Sequence, residues 1–142
     1  MTAYRKILVV VDLMDESELV ARRAQAIASA GSRLQLLHVV EYVPVEPMGE
    51  TLLPAVQIEE ELIQRARTRL EELAQRLGLA NCECFVEAGN VKAEVLRVAQ
   101  EQGSDLIVLG SRERHGLAIV VNFTEDTVLH SAPCDVLAVR VS

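Results

Sequence analysis

Two short apolar runs constrain this chain more than any other feature. Lys6-Ile-Leu-Val-Val-Val-Asp12 and Asp105-Leu-Ile-Val-Leu-Gly110 are continuous rather than alternating. A strand with one face in water alternates apolar and polar residues. A strand covered on both faces does not, and such strands belong to parallel sheets lying between helices. Arg33–Val40, Asn81–Ala88 and Cys134–Val141 supply three further strand signals. Helical patterns separate them. Leu19 to Ala28 carries helical spacing after a cap at Asp15 or Ser17, and Gly31 is its stop. Val56 to Leu77 carries one long apolar stripe that Gly78 ends. Asn90 caps a helix that Gly103 stops, and Asn122-Phe-Thr-Glu125 is a capping box for a short helix to about His130. The order β-α-β-loop-α-β-α-β-α-β predicts an α/β fold, a single-domain, doubly wound parallel sheet with helices on both faces.

Ligands of such sheets bind outside the carboxyl ends of the strands. The run ending in Gly110 is therefore the focus, with Gly110 expected to mark a sharp turn at that edge. The Arg- and His-rich loop after it leads to the helix signal at Asn122. The last strand is largely apolar on both sets of alternating positions. At a sheet edge its backbone groups would invite a partner strand, which makes Cys134–Val141 a candidate dimer seam.

Length and charge narrow the function classes. The 142 residues fit one domain spanning 1–142. A net charge of −7 argues against nucleic acid, because phosphate-backbone binding needs a basic surface. Tyr4, Tyr42, Phe85 and Phe123 are the only aromatic residues, and none sits in a basic cluster. No apolar run approaches the roughly 18 residues that would span a bilayer. Met1 to Lys6 leads into a strand rather than a signal peptide, so a cytoplasmic protein is expected. The three cysteines do not suggest a disulfide framework. Cys82 and Cys84 share a strand face, and are expected to be packed thiols; a metal site would need further ligands such as Cys134 or a His. Glu41 to Pro54, about 14 residues holding three prolines and a glycine, reads as a surface loop or as a lid.

Several blocks of the chain together resemble the universal stress protein family. They are Lys6–Asp12, Leu37-His38-Val39-Val40, Gly89-Asn90, Asp105–Arg112 and Val128-Leu-His-Ser-Ala-Pro-Cys-Asp-Val-Leu-Ala-Val139, the last two being the specific ones. The resemblance implies a five-stranded flavodoxin-like sheet, related to the adenine-nucleotide α hydrolase-like fold, and a homodimer often joined through the last strand. One branch of the family binds ATP through Gly-x2-Gly-x9-Gly-Ser/Thr in the loop after the fourth strand. The UspA-like branch lacks that pattern.

Here Gly110 matches the first glycine, followed by Ser111 and Arg112, but Glu113 replaces the second. The final Gly-Ser falls on Asn122-Phe123, and the loop is one residue short. Glycine lets backbone N–H groups approach a phosphate, whereas Glu113 brings a side chain and a negative charge. Asn122 can accept the helix N–H bonds that a phosphate would take, and Glu125 and Asp126 already complement the helix dipole. Phe123 crowds the same place. Other residues favour a ligand. Asp12 matches the family's contact to base or sugar, Val39 and Val40 lie near the expected adenine position, and Arg112, Arg114 and His115 can supply charge. Each has a plainer reading: Asp12 as a turn cap, the arginines as solvated or paired with Glu113, and His38 as a core-edge histidine.

No Ser-His-Asp or Cys-His arrangement, G-x-S-x-G elbow or Walker loop is present. Leu13-Met-Asp-Glu-Ser17 cannot cradle a pyrophosphate as a glycine-rich loop would. Asp15 and Glu16 read as helix-start acids rather than as an acid–base or Mg²⁺ pair. The expected protein is a UspA-like, dimeric stress-response protein of the cytosol, with unknown protein partners, no catalysis of its own and no cofactor. The alternative is a conformational switch that binds ATP with Mg²⁺ at Asp12, Val39, Val40, Gly110, Arg112, Arg114, Asn122 and Phe123. A slow ATPase is the enzymatic variant of that alternative.

Overall fold

The computed structural model describes residues 4–13, 17–41, 52–79, 81–111, 128 and 131–141. Among the described residues, these elements follow one another: β1 (Lys6–Val10), α1 (Ser17–Ile27), β2 (Arg33–Val40), α2 (Leu52–Arg76), β3 (Glu83–Ala88), α3 (Val91–Gln102), β4 (Leu106–Ser111) and β5 (Asp135–Arg140). The strands form one five-stranded parallel sheet in the order β3-β2-β1-β4-β5. Val128 and Ser131 are helical, at the end of the helix expected after Asn122.

The continuous apolar runs occupy the middle of the sheet because both their faces are buried. Ile7, Val9, Leu36, Leu106 and Val108 point to the layer of α1 and α2, where Val20, Ala24, Leu70 and Leu73 cover them. Leu8, Leu37, Val39 and Ile107 point to the opposite layer, under Val95, Val98, Ala99 and Val128. Burying a side chain of this size stabilises the fold by about 1.5–3 kcal/mol, so the two central strands anchor the domain.

The helix ends follow their sequence signals. Asn90 Oδ1 accepts from the Ala93 N–H at 3.1 Å, which caps α3. Gly78 and Gly103 close α2 and α3 with φ of 74° and 68°. In both, the following N–H reaches back five residues, Leu79 to Ala74 at 2.7 Å and Ser104 to Ala99 at 2.9 Å. A residue with a Cβ would resist that left-handed turn.

Several boundaries differ from the sequence reading. α2 starts at Leu52, four residues before Val56, and takes the end of the expected Glu41–Pro54 loop into its first turn. Pro54 is tolerated there because first-turn N–H groups have no intrahelical partner. Residues 42–51 of that loop lie outside the described residues. β3 begins at Glu83 rather than Asn81, and Cys134 and Val141 flank β5 rather than belong to it. Asp105 precedes β4. Its carboxylate accepts from the backbone N–H groups of Arg5 at 2.8 Å and Lys6 at 2.9 Å, and so ties the amino end of β1 to the α3–β4 turn.

Candidate functional site

The strand order reverses between β1 and β4. From β1 the chain moves outward through β2 to β3, then returns across the sheet to β4. The crevice beyond the carboxyl ends of those two strands is where ligands enter folds of this class. Asp12 follows β1 on one side of it, and Ser111 ends β4 on the other.

The exit from β1 is tied down residue by residue. The Val11 N–H donates to Leu37 O at 2.9 Å. The His38 ring donates from Nδ1 to Val11 O at 2.8 Å, since a carbonyl can only accept. His38 is half-buried, which agrees with a core-edge histidine. Asp12 is exposed, and its Oδ1 accepts from the Ser17 hydroxyl at 2.9 Å. The carboxylate therefore braces the start of α1 through the Ser17 hydroxyl. Leu13 has φ of 61°, and its carbonyl accepts from the guanidinium of Arg69 on α2. A small cavity of about 160 Å³ lies behind this turn, lined by Leu13, Ser17, Arg69, Glu72, Leu73 and Arg76. Beside it, Glu18 pairs with Arg22 at 3.0 Å and Arg76 at 3.2 Å, and those hydrogen bonds hold its carboxyl below the usual range.

Three expectations about the site change. Gly110 does not mark a turn. It lies inside β4, in register with Val139, and the strand continues to Ser111. Close packing explains the glycine: a Cβ there would sit 3.3 Å from Val20 Cγ2 and 3.7 Å from Val141 Cγ2. Val39 and Val40, expected near an adenine, point to different layers of the sheet. Successive strand residues face opposite sides, so Val39 belongs to the α3 layer and Val40 to the α1–α2 layer, both buried. Asp12 has left the strand, which ends at Val10. Arg112, Arg114, Asn122 and Phe123 lie outside the described residues, as do Glu113, His115, Asp15 and Glu16.

Leu13 and Arg69 escaped the sequence reading. No local pattern announces a left-handed leucine, and Arg69 sits on the solvent side of the α2 stripe. Their contact joins residues 56 positions apart.

A wider cleft, about 800 Å³, opens at the other end of the strands, between the carboxyl ends of α1 and α2 and the start of β3. Arg33, Ser29, Asn81 and Cys82 line it. Burial pushes the Cys82 thiol up to about 11, and its Sγ donates to Leu34 O at 2.9 Å. This is a packed thiol rather than a poised nucleophile. Among the described residues, no three His, Cys, Asp or Glu side chains are grouped so as to hold a metal ion.

Comparison with known proteins agrees with this geometry. The model of the "Universal stress protein family" matches residues 3–140. Universal stress protein A homolog 2 of Coxiella burnetii is 35% identical over 143 residues, covering 99% of this chain and 98% of the relative. The structure of UspA from Lactobacillus plantarum superposes with a TM-score of 0.74 at 25% identity, covering 99% of this chain and 100% of that one. A universal stress protein solved in complex with cAMP superposes with a TM-score of 0.64 at 24% identity, again over 99% and 100% of the two chains.

Proposed function

The chain belongs to the universal stress protein family, and from that premise we propose that it acts as a dimer through protein contacts, with no catalysis of its own. The observation that carries this reading is the state of β5. It is an edge strand, and Val136, Leu137 and Ala138 in its middle are only half-buried. The Val141 N–H donates to Ser111 O on β4 at 2.8 Å. Backbone direction alternates along a strand, so Val136 and Ala138 turn their N–H and C=O groups away from β4. An apolar edge with outward backbone groups suits a second copy of the same strand.

The crevice supports the same reading. Asp12 braces α1, Gly110 is packed inside β4, and the loop sequence carries Glu113 and Asn122-Phe123 where a phosphate site needs glycines and a small hydroxyl residue. Among the described residues no helix is long and apolar enough to cross a membrane. A cytosolic site of action, with protein partners rather than nucleic acid, completes the proposal.

One specific observation favours a second reading, a nucleotide-responsive switch. A structural neighbour was solved with cAMP, and Asp12 stands at the β1/β4 crevice of this chain. ATP with Mg²⁺ also fits that reading, since Mg²⁺ commonly uses one or two carboxylates beside substrate phosphates.

Sedimentation of the full chain and calorimetric titration with ATP·Mg²⁺ and cAMP test the two together. A dimer that takes up neither nucleotide at millimolar concentration supports the first reading. Micromolar uptake transfers support to the switch. ATP turnover that disappears in Asp12→Ala would overturn the absence of catalysis.

A further inference from the structure

Val11, Asp12 and Leu13 are held by side chains from three different elements. His38 of β2 takes the Val11 carbonyl at 2.8 Å, Ser17 of α1 takes Asp12 Oδ1 at 2.9 Å, and Arg69 of α2 takes the Leu13 carbonyl. Among the described residues Leu13 is the one non-glycine residue with positive φ, at 61°. In that region a leucine Cβ crowds the following carbonyl, so the conformation persists only where the surroundings impose it. Two anchors do so here. The Leu13 side chain is buried in the α1–α2 core, and Arg69 holds its carbonyl from the far side.

Arg69 is set apart from the other two clamps. Ser17 comes from the element that follows β1 in sequence and His38 from the strand paired with β1, whereas α2 follows the 42–51 segment in sequence. Relaxing Leu13 to negative φ would rotate the peptide that follows Asp12 and carry the carboxylate away from Ser17.

We propose that Arg69 is a positioning residue for Asp12: by holding Leu13 in the left-handed conformation, it fixes the carboxylate against Ser17 at the head of α1, just beyond the carboxyl end of β1. For its effect on a ligand the proposal rests on the nucleotide-switch reading; for the backbone clamp it does not. Among the described residues, the charged groups lining the cavity with the guanidinium are Glu72 and Arg76 on α2 itself, with Glu18 of α1 bound to Arg76. None of them replaces the Arg69 donor at the Leu13 carbonyl.

The test compares wild type, Arg69→Met and Arg69→Lys by residue-resolved amide hydrogen exchange on the unliganded protein. In Arg69→Met, exchange at Leu13 and in the first turn of α1 should speed by about tenfold while Ile7–Val9 and Leu70–Ala74 keep their rates. Arg69→Lys, whose ammonium still donates, should restore much of the protection. Acceleration spread evenly over the core, no acceleration at Leu13, or no rescue by lysine would each overturn the clamp. Titration of the same proteins with cAMP and with ATP·Mg²⁺ separates the two layers. If wild type binds, Arg69→Met should weaken binding by about tenfold, and equal affinity would overturn the positioning role. If wild type binds neither cAMP nor ATP·Mg²⁺ at millimolar concentration, the switch reading fails, and the exchange data alone decide the clamp.

Discussion

The two edges of the sheet carry charge differently, and the contrast shows how charge can close one edge to a partner strand and leave the other open. β3 is an edge with tethered charges; like β5 it is mostly half-buried, with Val86 as the buried residue of the strand. α2 packs over one face of it, where Leu70 and Leu73 are fully buried, and Phe85 packs into the other layer. The Glu83 carboxylate accepts from Gln35 Nε2 at 2.9 Å, and Glu87 pairs with Arg97 at 2.7 Å. Carboxylates along an edge strand disfavour pairing with another chain. β5 carries charge only at its ends. Asp135 accepts from the Tyr4 hydroxyl at 2.9 Å, Arg140 stands at the other end, and the three residues Val136–Ala138 between Asp135 and Val139 are apolar and half-covered. Edge position therefore does not make a strand adhesive. The charges along the strand decide it.

The largest expected effect sharpens this comparison from the closed side. Leu70→Ala removes a buried side chain that seats α2, and should cost about 2–5 kcal/mol of unfolding free energy. Val136→Ala on the open side should cost only about 1 kcal/mol in the monomer, because less area leaves water there. Denaturant melts of the two variants measure the difference, and equal losses would contradict the asymmetry.

Next in size is the association itself. Ala138→Lys puts a charge in the middle of the open edge and should weaken self-association by about 100-fold, equivalent to roughly 2.7 kcal/mol. Glu87→Ala on β3 should leave it unchanged. Sedimentation at several concentrations, with circular dichroism to confirm folding, distinguishes them. The reverse pattern would move the seam to β3.

Gly110→Ala tests packing in β4, the strand that supports the open edge. The new Cβ would approach Val20 Cγ2 at 3.3 Å, so Val20 must yield by a few tenths of an ångström. A loss of about 1 kcal/mol is expected, relieved in the double variant with Val20→Ala relative to Val20→Ala alone. An additive double variant would show that the glycine serves something other than this contact.

The smallest effect concerns pH and lies beside β3. The Cys82 thiol is held neutral by burial up to about pH 11, whereas an unfolded thiol ionises near pH 9. Between those values the unfolded chain has lost a proton that the folded one keeps, so stability falls as pH rises through the window. Cys84 and Cys134 are shifted in the same direction by burial. Thermal melts at pH 8 and pH 10.5 should show a smaller drop in Cys82→Ala than in wild type. An equal drop would assign the alkaline sensitivity elsewhere.

Much of the fold was legible because its signals are local. The continuous runs at Lys6 and Asp105 report strands buried on two faces, and Asn90, Gly78 and Gly103 report helix ends through their own hydrogen bonds and dihedral angles. The site was legible only in part. Asp12 stands just past β1, where its carboxylate meets the Ser17 hydroxyl. Gly110 was misread as a turn, because the same residue type serves a positive φ and a close approach, and only the neighbouring Val20 tells them apart. Val39 and Val40 are neighbours in sequence, yet the pleat sends them to opposite layers.

By itself the sequence determined the order and type of the elements, the family, and the acidic, single-domain character of the chain. These depend on periodicity, capping and net charge, each read within a few residues or summed over all of them. Tertiary structure alone decided which strands became edges, which glycine was packed and which was bent, and that Arg69 would reach the Leu13 carbonyl. Those outcomes depend on residues far apart in sequence meeting in space, and neither partner of such a contact carries a mark of the other.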